Sequence, residues 1–143
     1  MKNNTTAGQT LVEAVVVVGV VVLLVTGLIA GTTASLRSAQ SGRTRTKAVS
    51  LAQEGMEVVR SIRDENWITF VAFSGSYCLG ESHDLTPATG VCPQNITTPE
   101  GTLARGVSFD WQDPKMIVTT TVSYTEGERT RDVTLTTYFT QWK

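Results

Sequence analysis

Charge is what the first quarter of this chain lacks: from Ala14 to Leu36 there is no ionisable side chain at all. That excludes an ordinary amphipathic surface helix over the same residues. At ~1.5 Å per residue the run makes a helix of roughly 34 Å, long enough to cross a hydrocarbon core. Histidine is scarcer still, a single His83, and cysteine occurs twice in 143 residues. Two thiols and one imidazole cannot close a four-ligand zinc site at a familiar spacing, and no second base or thiol accompanies His83, which reads as a solvated loop residue. Asp110 and Asp113 are too few to hold calcium. No catalysis, metal or cofactor is expected. Nor is there an excess of either charge, with 12 Lys and Arg against 13 Asp and Glu. A chain built to neutralise phosphates needs a basic excess; beyond Trp67 the balance is acidic, eight to five, so direct nucleic-acid binding is not expected.

Residues 1–8, MKNNTTAG, are short and polar and read as a leader. The valine-filled run after them contains poor helix formers for water, but inside a bilayer every amide must be satisfied within its own segment, and helix prevails. No proline interrupts residues 35–67, where Ala48, Leu51, Ala52, Gly55, Val58, Val59 and Ile62 recur at steps of three and four. One helix is therefore predicted from Gln9 to about Asn66, uncharged and apolar over most of 9–36 and amphipathic over 37–66. Gly27, Gly31 and Gly42, with Thr32 and Thr33, are its weakest points; Gly27 and Gly31 also form a GxxxG pattern that permits close helix approach in lipid. Arg37, Arg43, Arg45 and Lys47 follow the apolar run and read as a solvated face that pairs with Glu54 and Glu57 of neighbouring copies; anionic lipid or DNA is the other candidate partner.

Beyond Trp67 the period changes. Residues 74–102 carry Gly, Ser, Pro and Asn at short intervals and read as a long loop. Cys78 and Cys92 lie within it; if this part is exported they pair as a disulfide, the alternative being two free thiols. Alternation then predicts strands over 107–111, 116–124 and 132–140, with Val107, Phe109 and Trp111, then Met116, Val118, Val122 and Tyr124, then Val133, Leu135 and Phe139 on one face. TEGER, 125–129, is the turn joining the last two. Three strands with one apolar face need cover, and the amphipathic helix is the element available. The expected fold is α+β: a long N-terminal helix packed through its C-terminal half on a small antiparallel sheet, with a β head over 67–143 and a disulfide loop at 78–92.

One carboxylate, Glu13, stands at the threshold of the apolar run. An acid at the centre of a membrane span costs about 2.5–3.5 kcal/mol, and less toward its edge, so something should offset it. The stretch GQTLVE, Gly8 to Glu13, resembles the prepilin processing motif of type IV pilins and pseudopilins, in which a polar leader ends in Gly, cleavage follows, and a Glu stands fifth in the mature chain. The long helix and small β head are similar to that family's pilin-like fold. The resemblance implies cleavage after Gly8 by a prepilin peptidase, N-methylation of a new N-terminus at Gln9 where the family usually has Phe, and a Glu13 that pairs with the freed α-amine of a neighbouring subunit. It implies a structural subunit of a pilus or pilin-like filament, homo- or hetero-oligomeric with other pilin subunits. Such a chain is single-pass in the cytoplasmic membrane before assembly and extracellular on the cell surface afterwards, with a head that supplies adhesion or partner contacts.

Other readings of the same residues differ in consequence. TTAS at Thr32–Ser35 offers small residues where signal peptidase cuts, which would release the head. The four basic residues after the run would, by the positive-inside rule alone, hold the C-terminal part in the cytoplasm; the processing motif and the paired cysteines call for export. A monomeric exported binding module on a single anchor is the main alternative to the filament.

Overall fold

A computed structural model of the chain describes residues 6–141, with side chains from 11 to 141. Most of the expected leader, residues 1–5, lies outside the described residues. The chain forms two compact units, 1–40 and 41–143, and helix α1, Thr6–Glu65, contributes to both.

In the first unit α1 is apolar around its whole circumference. Leu11, Val12, every Val from 15 to 18 and 20 to 22, and Leu23, Leu24, Val25, Leu28, Ile29 and Leu36 are all exposed, the least of them by 50%. The helix is unbroken through Gly27, Gly31, Thr32 and Thr33. The threonines turn their hydroxyls back on the helix: Thr26 donates to the Val22 carbonyl at 2.7 Å, and Thr32 and Thr33 both donate to that of Ile29 at 2.9 Å. An apolar surround therefore meets methyl groups rather than unpaired hydroxyls.

The second unit is a helix layer on a sheet layer. The rest of α1 is followed by α2 (Trp67–Val71), then β1 (Gly75–Leu79), β2 (Leu85–Pro87), β3 (Ile96–Thr98), β4 (Gly101–Gln112), β5 (Lys115–Glu126) and β6 (Arg129–Phe139). The antiparallel sheet has the order β2-β1-β4-β5-β6, and β3 pairs with β4 beyond the end of β1. α1 ends where Asn66 takes extended backbone (φ −155°, ψ 106°); its side chain then accepts from the Thr69 amide and caps α2. That short helix delivers Phe70, fully buried, edge-on to Phe109 and Phe139.

The expected helix face is the one that packs. Ala48, Leu51 and Ala52 meet Ile96, Leu103, Val122 and Tyr124, while Met56 and Val59 meet Leu79, Val107, Phe109, Met116, Val118 and Phe139. Burying each large side chain of this kind contributes about 1.5–3 kcal/mol. Gly55 lies at the closest approach: a Cβ there would sit 3.0 Å from Thr120 Cγ2 and 3.2 Å from Arg105 Cδ.

Two strand expectations need correction. Residues 74–102 are not one loop but contain β1, β2 and β3, so the sheet has six strands rather than three. Strands of three to five residues are too short to carry a visible alternation; β4 offers β1 and β3 a long backbone edge, and β1 in turn pairs with β2. Trp111 shares the inward side of β4 yet is 42% exposed; Trp67 of α2 meets it edge to face and covers it only in part. The last turn is as expected: Glu126 pairs with Arg129 across a two-residue loop in which Gly127 has φ +63°, the backbone such a hairpin asks of glycine. The β4–β5 loop is Asp113–Pro114, joined by a cis peptide.

Candidate functional site

Two places carry chemistry, one in each unit. In the first, Glu13 is exposed at the start of the uncharged surface. Gly8 and Gln9 belong to α1 by backbone, but the Gln9 side chain lies outside the described residues. A Cβ at Gly19, Gly27 or Gly31 would meet nothing within 4 Å, so no contact inside the chain requires glycine there. The helix that begins at the N-terminus is long and apolar enough to cross a membrane.

In the second unit the sequence reading missed Arg105. Its side chain is fully buried, and its guanidinium donates to the Leu79 carbonyl (Nε, 3.2 Å), the Gly80 carbonyl (Nη2, 2.9 Å), the Leu51 carbonyl and Glu54 Oε1 (Nη1, 3.0 and 3.1 Å). One side chain thus ties α1 to the end of β1. A buried guanidinium is tolerable only with its donors satisfied, and the missing side chain at Gly55 leaves room for its stem. The signal was available: Arg105 stands two residues before Val107 in the inward alternation of β4, between it and Leu103.

Glu54 is shared. His83 Nε2 lies 2.6 Å from the same Oε1 that Arg105 engages. His83 is therefore not a solitary loop residue; it has φ +62° and anchors the β1–β2 loop to α1. Burial acts to raise the Glu54 carboxyl, but hydrogen bonds from His83 and Arg105, with the attraction of their charges, outweigh it and hold the carboxyl below its usual range. The pairing expected of Glu54 and Glu57 with basic residues of other copies meets competition within the chain, since Glu57 takes Arg60. Arg37, Arg43, Arg45 and Lys47 form no ion pair among the described residues.

Cys78 and Cys92 are joined by a disulfide, with Cα atoms 5.4 Å apart. The bond ties β1 to the segment that leads into β3. Asp110 accepts from Gln112 Nε2 at 2.9 Å, and among the described residues no three His, Cys, Asp or Glu side chains gather as a metal site would need.

No protein-family model, no curated protein and no solved structure matches the chain.

Proposed function

We propose that this chain is a structural subunit of a type IV pilus or related pilin-like filament. It is made as a membrane-anchored precursor, cleaved after Gly8 by a prepilin peptidase, and polymerised through residues 9–36. The observation that carries the reading is a helical surface from Leu11 to Leu36 that is exposed and apolar on every side, with one acid, Glu13, at its start. Such a surface suits lipid before assembly and like helices afterwards. Cleavage would free a cation at Gln9, and a paired acid and amine are tolerable in hydrocarbon where either alone is costly. The head has its own core and disulfide.

The test is expression with a prepilin peptidase, followed by N-terminal sequencing and intact mass of surface material. The mature chain is expected to begin at Gln9. Glu13→Ala is expected to be cleaved normally and to be absent from filaments. A mature chain that starts at Ser35, or one found outside the cell with its first eight residues, defeats the proposal; so does loss of ammonia from Gln9, which would remove the amine Glu13 needs. In the alternative, a monomeric exported module on a single anchor, Glu13→Ala inserts at least as well and nothing else changes.

A further inference from the structure

We propose that the cleft at the α2 end of the second unit binds a neutral oligosaccharide. The cleft, of about 610 Å³, is open to solvent and lined by Trp67, Trp111, Asp113, Thr140 and Gln141 among others. Its size lies within the ~300–1,000 Å³ typical of small-molecule sites.

The indoles form its wall. On the inward side of β4, Leu103, Arg105, Val107 and Phe109 are at most 3% exposed, and Trp111 continues the same row into solvent at 42%. Leaving that much indole in water contributes little to the fold. Trp67 meets it edge to face, centroids 6.2 Å apart and planes at 67°, so the two rings offer apolar faces at a steep angle. The C–H-bearing face of a pyranose carries partial positive charge and packs on the negative face of an indole.

The polar groups settle the ligand class. Asp113, Thr140 and Gln141 are exposed, and their side chains have no hydrogen-bond or ion-pair partner among the described residues. A carboxylate, a hydroxyl and an amide together supply acceptors and donors for vicinal hydroxyls. A quaternary ammonium would use the rings and Asp113 but has nothing for Gln141 or Thr140 to bond. An anionic ligand would meet Asp113 with no cation among these lining groups to balance it. The inference does not depend on how the chain assembles and stands or falls separately from the filament proposal.

The experiment uses the full chain in phosphatidylethanolamine–phosphatidylglycerol nanodiscs, free of sugar-headed detergent. Cellotetraose, chitotetraose and maltotetraose are titrated by calorimetry and saturation-transfer NMR, with tetramethylammonium chloride alongside. At least one saccharide is expected to bind saturably at millimolar concentration or below, with transfer to its ring C–H protons. Trp111→Ala is expected to weaken it about tenfold or more, Trp111→Phe less, and Asp113→Asn and Gln141→Ala several-fold, all with unchanged circular dichroism. The proposal is overturned if none of the three saccharides binds below about 10 mM. Undiminished binding by folded Trp111→Ala, or binding of tetramethylammonium in their place, overturns it equally.

Discussion

Arg105 shows how one side chain decides the fit between two layers. Its four hydrogen bonds satisfy a charge that the interior would otherwise reject, and three of the acceptors are backbone carbonyls that cannot move away. Beside it Thr120 is fully buried and its hydroxyl has no partner. Thr120→Val keeps the shape and removes an unsatisfied polar group, so it is expected to stabilise the unit by about 1 kcal/mol, read as a higher denaturation midpoint of the full chain. Glu54 gives a pH dependence of definite sign. Because its carboxyl is held below the usual range in the fold, its stabilising effect is complete above the unfolded carboxyl value of ~4.3 and is lost as pH falls through the lower folded value. A melting series from pH 6 downward, to about pH 3, is expected to show wild type losing more than Glu54→Gln over that window. The size is modest, since the Glu54 side chain is 43% exposed.

At the scale of elements, legibility followed length. α1 was readable because a charge-free run and then a three- and four-residue spacing persist for dozens of positions, and β5 because Met116, Val118, Val122 and Tyr124 alternate without interruption except at Thr120, which is also buried. β1, β2 and β3 were not readable: each is five residues or fewer, and their partner strand and the disulfide position them more than their own pattern does. Arg105 was hidden by expectation rather than by lack of signal, because a charged residue was not counted as a core position. The disulfide closes a loop with a sequence separation of 14. Cys78→Ser/Cys92→Ser is expected to cost about 3 kcal/mol on the chain-entropy account, with the loss seen in amide exchange first at β1 and β3. Unchanged exchange there would mean that pairing with β4 alone holds both strands.

For the molecule as a whole, the contrast between the units is the organising fact. Among residues 41–141 most apolar side chains are packed against one another, with Ile68, Val91, Trp111 and Tyr138 as exposed exceptions, while Leu11–Leu36 expose theirs. The helix of the first unit is long and apolar enough to cross a membrane. Val22→Arg, in the middle of the uncharged run, is expected to cost about 2.5–3.5 kcal/mol of insertion and to shift the protein from the membrane pellet to the alkaline wash. Glu13→Ala is expected to leave that partition intact and to abolish assembly alone. On the filament proposal, membrane retention and polymerisation are expected to separate by position along the same helix. What the sequence carries of the second unit is its fold class and its packing face; the cleft beside Trp67 was not legible, because its lining comes from α2, the β4–β5 loop and the residues after β6, which are far apart in the chain.

Gly55 has a consequence for anyone who would graft or redesign this domain. With 3.0 Å between a would-be methyl and Thr120, the two layers stand at a gauge with little room for a shim. Adding one carbon there asks the Thr120 methyl and the guanidinium stem to give way by a few tenths of an ångström. Position 55 is therefore the natural place to weigh the domain's resilience, and the wrong place to seek extra helicity.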